Sequence, residues 1–520
     1  MKKFKIKIST ENRKLFYIFA VILALAIASR FILLGVRPIH HDEGMLAYFA
    51  WKLARFGEYN YTPQIHAPIL FYVQALLFLI FGESAAVLRT GPAIFGVVMI
   101  TLPLIFYKKL GKANALAIAI LILTSPLLTY YSRFLVHTSI VIVFWFLTLV
   151  FIRDFCKKFN PFSLYLTALC LAFSFGVSET TYIFCAALLG AALLVLIFNR
   201  QKASMVLKKI WAFCRHDYIE IFSAFLIFVL AWMLIYGVGL TNPRSLITSL
   251  PNPFNPESGL GFWLAQNPKK LGGQKWHYYF DLMMVYEPVI LIGFVLSIYD
   301  AFKKRALFYQ LIVFCAALTL AVFSCAGEKF PWLALCPLIL MIFSAGFYWG
   351  KNFSNFKIWS KLAVAILITF SIFNLIRLNY FSSADTSELA VYVQTPEFAR
   401  DKIDEAVERC EKEKIKDCVA IEQKISWPLS WYFRRSSYLF VGNDAYIKPE
   451  TKYVFVSVES VDAFKKPENW AKTSYPLRDW WVPDVCRKLD CVKEFADYYF
   501  KRSTWNTKGG YDVYEFSRNQ

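Results

Sequence analysis

The chain has 520 residues, of which 57% are hydrophobic and 18% charged, and it carries a formal net charge of +20. This hydrophobic fraction is too high for a soluble globular protein, and apolar runs of about 18 or more residues recur, so the sequence predicts a polytopic helical membrane protein. The positive charge lies almost wholly in short loops between apolar runs, which indicates the positive-inside pattern and excludes the single basic surface of a nucleic-acid-binding protein.

About eleven apolar runs are long enough to be membrane spans. They cover residues 15–36, 87–107, 113–129, 137–152, 162–177, 181–198, 219–238, 286–302, 306–325, 332–349 and 360–378. The first run lacks a cleavage site of small residues, so we expect it to be retained as an anchor. The loops after every second span are rich in Lys and Arg, which predicts that they and the N-terminus face the cytoplasm.

The apolar segment from Pro68 to Phe81 is an ambiguous case. At about 1.5 Å per residue it reaches only about 21 Å, whereas the bilayer core is about 30 Å thick. If this segment were a span, every later basic loop would lie outside the cell. We therefore expect an interfacial or half-inserted helix within a long first external loop that covers residues 36–86.

Four adjacent titratable residues, His40, His41, Asp42 and Glu43, follow the first span. Two interpretations fit this cluster. Asp42 is a good N-cap, and the apolar residues that follow it have helical spacing. Alternatively, the cluster transfers protons or binds a ligand, because ionisable groups held at a membrane face tend to be functional. A cap needs only one short polar residue, so the second interpretation is favoured.

Other polar side chains of the predicted external face are candidate partners of this cluster. They are Arg89, Arg133 and Lys329 among the cations, and His66, His137, Glu179 and Glu328 among the remaining polar groups. The external loop of residues 239–285 is rich in Pro, Asn and Gly, so it cannot form long regular structure. Its aromatic residues suit a membrane-interface belt or a surface on which a sugar stacks.

A change of composition near residue 380 divides the chain. Residues 1–380 are predicted to form the transmembrane module. Residues 381–520 are predicted to form a small soluble α/β domain, which follows an odd number of spans and is therefore extracytoplasmic. In this tail a helix is expected over Thr395–Lys414, and buried strands over Cys418–Ile421 and Tyr453–Val458.

The cysteines of the tail are even in number: Cys410, Cys418, Cys486 and Cys491. In an oxidising compartment they permit two disulfides with three connectivities, of which the local pairs Cys410–Cys418 and Cys486–Cys491 are the simplest. The chain has no zinc-binding Cys-x-x-Cys or His-Glu-x-x-His spacing and no Gly-rich phosphate loop. Nucleotide-driven transport is therefore unsupported.

A carboxylate at the external membrane face is suited to group transfer from a lipid-linked donor. Asp42 could accept the proton of an acceptor hydroxyl while that oxygen attacks an anomeric carbon, with Glu43 as the second catalytic carboxylate. Arg89, Arg133 and Lys329 could balance the charge of the departing lipid phosphate. The candidates for acceptor binding or support are His40, His41, His66, His137, Glu179 and Glu328.

Several motifs contain these residues. They are His40-His41-Asp42-Glu43, Phe81-Gly82 followed by Arg89, Tyr131-Ser132-Arg133-Phe134, Ala326-Gly327-Glu328-Lys329-Phe330-Pro331-Trp332-Leu333 and Trp427-Pro428-Leu429-Ser430-Trp431-Tyr432. With them the chain resembles, over nearly its full length, the C-type (GT-C) membrane glycosyltransferases related to protein O-mannosyltransferases and aminoarabinose transferases. The resemblance is closest to a subfamily described as flippase-activity-associated proteins of archaeal-type N-glycosylation.

The resemblance implies a GT-C-like fold and an inverting transferase that uses a polyprenyl-phosphate sugar, with Asp42 as the base. One departure is Ser178, where relatives often carry a Lys before the Glu that matches Glu179; this puts a phosphate-binding role for that turn in doubt. The implied partners are the lipid-linked donor, the bilayer and a glycan or protein acceptor, without nucleic acid. We expect a multi-pass protein of the cell membrane.

Two other functions fit parts of the sequence. A flippase or flippase accessory for lipid-linked sugars should have ionisable residues at mid-membrane and internal repeats, but the predicted span centres are essentially free of charge. A membrane scaffold whose tail binds a partner leaves the first-loop cluster unexplained. Cofactor use stays open: residues 40–43 could hold a divalent metal ion, although adjacent residues alone are poorly placed to close a tetrahedral site.

The alternation of basic loops predicts that residues before Lys14 are cytoplasmic and that residues after Phe381 are external. In a background without reactive native thiols, single cysteines at Lys108 and Lys303 should both be shielded from a membrane-impermeant thiol reagent added to intact cells. A cysteine placed after Phe381 should react. If both cysteines react in intact cells, the segment from Pro68 to Phe81 is a span. If only one of them reacts, the number of spans between Lys108 and Lys303 is odd, and the expected topology is wrong.

Overall fold

The computed structural model describes residues 10–270, 273–304, 306–442, 447–464, 468–484 and 490–518. Its α-helices are α1 (Thr10–Phe31), α2 (His41–Phe56), α3 (Ile69–Phe81), α4 (Ala85–Ile105), α5 (Tyr107–Leu110), α6 (Lys112–Thr124), α7 (Pro126–Tyr131), α8 (Thr138–Lys158), α9 (Pro161–Val177), α10 (Thr180–Phe198), α11 (Arg200–His216), α12 (Tyr218–Tyr236), α13 (Pro243–Ser249), α14 (Gly259–Gln266), α15 (Tyr278–Tyr286), α16 (Pro288–Lys304), α17 (Leu307–Cys325), α18 (Leu335–Asn352), α19 (Ile358–Ile376), α20 (Glu397–Glu413), α21 (Ser426–Tyr432) and α22 (Asp490–Lys501). Its β-strands are β1 (Val419–Glu422), β2 (Ser437–Phe440), β3 (Tyr453–Ser457), β4 (Trp470–Trp480) and β5 (Gly509–Arg518).

Helices long and apolar enough to cross a membrane dominate the first part of the chain. Within the described ranges there are seven: Ala85–Ile105, Thr138–Lys158, Thr180–Phe198, Tyr218–Tyr236, Leu307–Cys325, Pro331–Asn355 and Ile358–Phe381. An eighth is obtained if Tyr278–Tyr286 and Pro288–Lys303, which meet at a bend of 115°, count as one broken span. The chain is therefore a multi-pass membrane protein, as its composition predicts.

Three more of the predicted spans coincide with apolar helices that are shorter in the described part of the chain, and their crossing of the membrane stays a prediction. These are Phe16–Phe31, Lys112–Thr124 and Pro161–Val177. The second ends early because Ser125 precedes Pro126, and a residue before proline is disfavoured in the α-helical conformation. Ser125 accordingly has an extended ψ of 117°. The segment Ile69–Phe81 forms a short helix of 13 residues, and its interfacial placement remains a prediction.

The loop of residues 239–285 contains only short helices, in agreement with its Pro, Asn and Gly content. Helices α13, α14 and α15 have 7, 8 and 9 residues. Pro243 stands at the start of α13, where its missing N–H would be unpaired in any case. The loop contacts two other loops: the N–H of Tyr61 donates to the Ser245 hydroxyl at 2.9 Å, and the N–H of Gly327 donates to Asn267 Oδ1 at 2.7 Å.

One hydrophobic core joins the helices to the tail. It includes Trp145 and Phe146 of α8, and the tail contributes Leu389, Trp431 and Tyr498. Because these side chains are buried together, the apolar contacts that hold the helices to one another also hold the tail against them. The predicted boundary near residue 380 is thus crossed by core contacts.

The tail contains a five-stranded sheet in the order β2-β1-β3-β5-β4. Strand β1 pairs in parallel with β2 and β3, whereas β5 runs antiparallel to β3 and β4. The buried strands β1 and β3 lie where the sequence predicts strands, and α20 lies where it predicts a helix. A mixed sheet with helices is the α/β arrangement expected for this part of the chain.

A disulfide joins Cys410 in the last turn of α20 to Cys418, the residue before β1. It confirms the first of the two predicted local pairs. Both cysteines are buried in the apolar core of the tail, where they tie α20 to the sheet. The second predicted pair, Cys486 and Cys491, lies outside the residues whose side chains the structure describes.

Helix α21 of the tail docks on the first external loop. Trp431 stacks on Phe78 of α3, with ring centroids 5.5 Å apart. The Tyr432 hydroxyl accepts a hydrogen bond from the backbone N–H of Ile39 at 3.3 Å. Gly44 of α2 lies so close to Pro428 that a Cβ on Gly44 would stand 2.9 Å from the proline Cβ. The tail motif and the first-loop motif therefore contact each other directly.

The substitution Gly44→Ala tests this close approach. Alanine favours a helix over glycine by about 1 kcal/mol, but its Cβ would have to displace Pro428, and overpacking costs about 1–3 kcal/mol. We expect a lower melting temperature for the purified protein. The control is Gly190→Ala in α10, because a Cβ there would meet only the flexible end of Leu318. If both variants melt alike, α2 and α21 are not packed at this distance.

Candidate active site

The titratable cluster of the first external loop lies at the start of α2. His40 is the N-cap residue: its Nδ1 accepts a hydrogen bond from the N–H of Asp42 at 3.0 Å, and its own N–H donates to the Glu43 carboxylate at 3.2 Å. This reciprocal arrangement is a capping box. The interpretation of Asp42 as the helix cap is therefore wrong, and the Asp42 carboxylate is available for another role.

Both ring nitrogens of His40 have partners within the protein. Its Nε2 lies 2.7 Å from the carbonyl oxygen of Tyr392, so Nε2 carries the proton while Nδ1 is the acceptor of the cap. Burial, together with the neighbouring His41, lowers the pKa of His40 to about 3, which keeps this neutral tautomer. Both ring nitrogens are thereby occupied.

Glu43 is fully buried, and both of its carboxylate oxygens accept hydrogen bonds. Arg89 binds it in a bidentate manner, with Nε 2.8 Å from Oε1 and Nη2 2.8 Å from Oε2. Oε1 also accepts from Arg37 Nη2 at 3.1 Å and from the N–H of Leu135 at 3.0 Å. Burial alone would raise the pKa of Glu43, but the two arginines hold it at about 2. Glu43 is thus an ionised group held by two arginines, and the catalytic role expected of it from the sequence stays a prediction.

Arg89 of α4 is also fully buried. Besides its two bonds to Glu43, it donates to the carbonyl oxygens of Leu34, Arg37 and Pro38 at 3.1, 2.9 and 3.1 Å. A guanidinium has five N–H donors, so none remains for a lipid phosphate. This side chain fastens the first loop to α4, and the phosphate-binding role expected of Arg89 stays a prediction that its contacts do not favour.

Arg133 lies at the end of α1. Its guanidinium donates to the carbonyl oxygens of Ser29, Arg30, Ile32 and Leu33. A helix leaves these last carbonyls unpaired, and its dipole favours a cation at this end. The side chain is only 6% exposed. Arg133 thus caps α1, and its geometry does not support the expected role in phosphate binding.

Asp42 is the carboxylate of the cluster that stays accessible. Its side chain is 29% exposed, whereas that of Glu43 is 0% exposed. Oδ1 lies 3.2 Å from His41 Nε2, and Oδ2 lies 3.9 Å from His40 Nδ1. Among the described residues, no Lys or Arg forms an ion pair with it. Asp42 therefore combines a carboxylate oxygen with the access that a general base requires.

His41 lies between Asp42 and the tail. Its Nδ1 is 3.3 Å from the carbonyl oxygen of Val393, and its Nε2 is 3.2 Å from Asp42 Oδ1. Burial and the positive charge of Arg478 lower the pKa of His41 to about 3, which favours a neutral ring. A neutral imidazole donates at only one nitrogen, so His41 can donate to Val393 or to Asp42 but not to both. The nitrogen that carries no proton can accept a hydrogen bond from a hydroxyl that approaches Asp42.

The tail supplies one wall of the site. Its contacts include the carbonyl oxygens of Tyr392 and Val393, and Gln394 Nε2 donates to the carbonyl oxygen of Pro38 at 3.0 Å. His40 and Tyr392 are 352 residues apart in the chain. No local pattern predicts such a contact, and these tail residues were missed from the sequence for that reason.

A second polar cluster surrounds Glu179. Its carboxylate accepts hydrogen bonds from the Tyr61 hydroxyl at 2.7 Å and from His66 Nδ1 at 3.0 Å. The His66 ring stacks on Trp263 with centroids 5.0 Å apart, and lies 3.8 Å from the ring of His137. The structure thus brings together three residues expected to bind or support the acceptor. Trp263 shows that an aromatic residue of the long external loop lines this site.

His66 and His137 both carry signs of a functional site. His66 has φ +67° and ψ −176°, a conformation that is essentially restricted to glycine and costs about 1–3 kcal/mol. His137 is 1% exposed, and its two ring nitrogens have no hydrogen-bond partner among the described residues. Burial lowers the pKa of His137, as does the neighbouring His66. Backbone strain and unpaired buried nitrogens in one place indicate a binding pocket.

The loop after α17 reaches the first cluster through Trp332, whose ring centroid lies 6.1 Å from that of His40. Burial raises the pKa of Glu328 in this loop, whereas the charge of His66 lowers it and that of Asp42 raises it. Lys329 is 6% exposed, and its Nζ donates to the carbonyl oxygen of Ala326. Burial lowers the pKa of Lys329. No carboxylate pairs with it in the described part of the chain, so Lys329 remains a candidate for phosphate binding.

A divalent metal ion does not fit the residues of the first cluster well. The ligand atoms of His40, His41 and Asp42 lie within 4.8 Å of one another. However, both nitrogens of His40 already have partners, which leaves only two ligands. A catalytic zinc site uses three protein ligands, so a metal ion would need ligands from elsewhere.

Comparison with known proteins agrees with this architecture. A family model described as dolichyl-phosphate-mannose-protein mannosyltransferase matches residues 65–234. No curated protein matches the chain. The structure is similar to ArnT from Cupriavidus metallidurans in the apo state, with a TM-score of 0.55 and 12% identity over 86% of this chain and 94% of ArnT. Its similarity to the same protein bound to undecaprenyl phosphate has a TM-score of 0.53 and 11% identity over 95% and 97% of the two chains. The GT-C fold expected from the sequence is confirmed.

The substitution Glu43→Gln should lower the stability of the folded protein as well as any reaction rate. The amide would leave Arg37 and Arg89 buried without a counter-charge, and breaking a buried ion pair in this way costs about 3–5 kcal/mol. We expect a strongly lowered melting temperature for the purified protein. Glu405→Gln is the control, because that carboxylate on α20 is 70% exposed.

The depressed pKa of Glu43 adds a pH dependence. Its value of about 2 in the folded protein lies below the ordinary 4.5, so the ionised form contributes its full stability above about pH 4.5. The contribution is lost as the pH falls towards 2. The melting temperature of the wild type should therefore fall across this range by more than that of Glu43→Gln. Equal falls would contradict an ionised Glu43.

Proposed function

We propose that this chain is an integral membrane glycosyltransferase that moves a sugar from a polyprenyl-phosphate donor to a hydroxyl group at the external membrane face, with Asp42 as the general base. The observation that carries the proposal is the contrast between two adjacent carboxylates. Glu43 is buried and occupied by arginines, whereas Asp42 is accessible beside His41. The fold shared with ArnT, which binds undecaprenyl phosphate, and the match to a mannosyltransferase family model support it.

The proposed reaction is a single displacement. The acceptor hydroxyl gives its proton to Asp42 while its oxygen forms a bond to the anomeric carbon. The bond from that carbon to the phosphate oxygen breaks, and its electron pair leaves with the polyprenyl phosphate. Since the attack comes from the side opposite the leaving group, the configuration at the anomeric carbon is inverted. The proton then passes from the partly exposed Asp42 to solvent.

The environment of Asp42 suits this role. The capping box fixes the start of α2, so the carboxylate is positioned before substrate binds, and positioning of reacting groups is a large part of catalysis. His41 Nε2, 3.2 Å from Asp42 Oδ1, is placed to orient the hydroxyl of the acceptor. Lys329 follows Glu328, which interacts with Asp42, and its ammonium is assigned to the negatively charged side of the donor.

The cluster around Glu179 is assigned to the acceptor. Glu179 fixes His66 through Nδ1 and leaves Nε2 for a ligand. The flat ring of Trp263 stacks on the ring of His66, and aromatic faces are suitable surfaces for a sugar ring. The pKa of Glu328 is lowered by His66 of this cluster and raised by Asp42. The acceptor is therefore proposed to be a hydroxyl-bearing glycan or protein side chain.

Two finer assignments belong to the same proposal. The sequence motifs place the chain nearest to the flippase-activity-associated subfamily of the GT-C transferases. The alternation of basic loops places the N-terminus in the cytoplasm and both polar clusters on the external face of the cell membrane. A donor dissolved in the bilayer then reaches Asp42 from the side, at the membrane edge.

The substitution Asp42→Asn tests the assignment of the base. The fold should be retained, because the Asp42 side chain neither caps α2 nor pairs with an arginine. The loss of a positioned base typically costs about 10² to 10⁴ in rate. We expect a loss of this size when the purified protein is incubated with a panel of polyprenyl-phosphate sugars and the release of polyprenyl phosphate is measured.

Two comparisons make the result unambiguous. Asp401→Asn should retain the wild-type rate, because Asp401 lies on the exposed side of α20 and pairs only with Arg400. The melting temperature of Asp42→Asn should match that of the wild type. A well-folded Asp42→Asn protein that still releases polyprenyl phosphate within a few-fold of the wild-type rate would show that Asp42 is not the base.

A further inference from the structure

Strand β4 has an irregularity where it reaches the candidate active site. Its register with β5 shifts between Pro476 and Arg478. A bulge of this kind bends the strand and re-aims the neighbouring side chain, and such features are frequent next to active sites. The next residue, Asp479, pairs through its backbone with Gln394. Gln394 follows Val393, whose carbonyl oxygen lies 3.3 Å from His41 Nδ1. The strand thus brings Arg478 to the side of the site where His41 and Asp42 lie, and the charge of Arg478 also lowers the pKa of His41.

The guanidinium of Arg478 is only partly satisfied. Its Nη2 donates to the carbonyl oxygen of Trp427, but its Nε is buried and has no hydrogen-bond partner. Within the described part of the chain, no carboxylate forms an ion pair with it. A buried donor without a partner is unfavourable, so this side chain is poised for an anionic ligand.

Arg89 provides the contrast. It is one of the three cations predicted from the sequence to bind the phosphate, yet its carboxylate partner and three backbone carbonyls occupy every N–H group. Arg478, in contrast, keeps its buried Nε–H without a partner. Of these two arginines, only Arg478 can bind a phosphate without first breaking an ion pair.

Hydrogen bonds fix β4 against the first external loop. The backbones of Asp479 and Gln394 exchange two N–H to carbonyl bonds, both of 3.0 Å. The side chain of Gln394 in turn donates to the carbonyl oxygen of Pro38 at 3.0 Å, two residues before the cap of α2. Arg478 is therefore held in place relative to Asp42 before any ligand arrives, which reduces the ordering cost of binding.

We infer that Arg478 binds the phosphate group of the lipid-linked donor, an inference that rests on the proposed function. A guanidinium matches two phosphate oxygens in a bidentate manner. The donor phosphate is a diester with one negative charge, and it becomes a monoester with additional charge as the bond to the anomeric carbon breaks. Arg478 would then stabilise the charge that grows in the transition state.

The inference is tested by binding alone, without sugar transfer. Purified full-length protein in detergent is titrated with undecaprenyl phosphate, with undecaprenol, which lacks the phosphate, and with inorganic phosphate, which lacks the lipid. We expect the wild type to bind undecaprenyl phosphate more tightly than undecaprenol. Arg478→Gln should lose this difference and bind undecaprenyl phosphate about 10-fold or more weakly, because charge-assisted hydrogen bonds are the strong ones.

Two further variants complete the design. Lys472→Gln removes a cation from the same strand, where it lies over Tyr514, and should bind like the wild type. Arg478→Lys keeps the charge but lacks the bidentate fork, and should bind with intermediate affinity. If the melting temperature of Arg478→Gln is strongly lowered, the affinity of Arg478→Lys for undecaprenyl phosphate is used instead. An affinity of Arg478→Lys equal to that of the wild type would overturn the inference.

The outcomes separate this inference from the proposed function. If folded Arg478→Gln binds undecaprenyl phosphate as the wild type does while Asp42→Asn loses transfer, Arg478 is not the phosphate residue and the proposed function stands. If inorganic phosphate alone binds as tightly as undecaprenyl phosphate, the site takes free phosphate and the lipid-donor assignment of Arg478 is wrong. If the wild type neither distinguishes undecaprenyl phosphate from undecaprenol nor consumes any donor, the proposed function itself fails.

Discussion

The buried ion pair between Glu43 and Arg89 is the interaction on which the site depends. It ties the start of α2 to α4, and through Leu135 it also ties α2 to the turn before α8. The second arginine, Arg37, lies over the rings of Tyr130 and Phe134 at 4.8 Å from each centroid. A buried ion pair of this kind contributes little net stability when complete, but its disruption leaves charges without compensation. The contacts of Glu43 with Arg37 and Arg89 therefore hold the first loop in position at the start of α2.

Helix geometry explains why neighbouring carboxylates differ so strongly. Successive residues of an α-helix point about 100° apart. Because Glu43 points into the core, the side chain of Asp42 points in a different direction. Asp42 is directed to the accessible side of α2, beside His41. Glu43 also pairs with the His40 N–H in the capping box. Glu43 thus fixes the position of Asp42, the next residue towards the N-terminus, and leaves the carboxylate oxygens of Asp42 accessible.

Residues of the tail contact the first cluster directly. Tyr392 holds the tautomer of His40, and Pro428 packs against Gly44. Trp332, from the loop after α17, lies edge-on to the His40 ring at 6.1 Å. Distant segments of the chain therefore converge on the cap of α2. The arrangement places the proposed donor contacts on the tail side and the proposed acceptor contacts around Glu179.

The sequence by itself determined the features that depend on local patterns. Apolar runs specify helices because each residue contacts its neighbours three and four positions away, and short buried runs in the tail predicted β1 and β3 beside the helix α20. The pair Cys410–Cys418 could also be predicted, since the two residues are close in the chain. The sequence also predicts a functional role for the first-loop cluster, because four titratable residues at a membrane face are unusual.

Only the tertiary structure decided the role of each polar residue. The partners of Glu43 lie 46 and 92 residues away, and the tail partner of His40 lies 352 residues away. The sequence therefore could not show that Arg89 forms a buried ion pair with Glu43 or that the Nε–H of Arg478 has no partner. Burial and ion pairing depend on which segments meet in space. A residue type and its position in a motif predict that a group can act, whereas its three-dimensional neighbours decide whether it is free to do so.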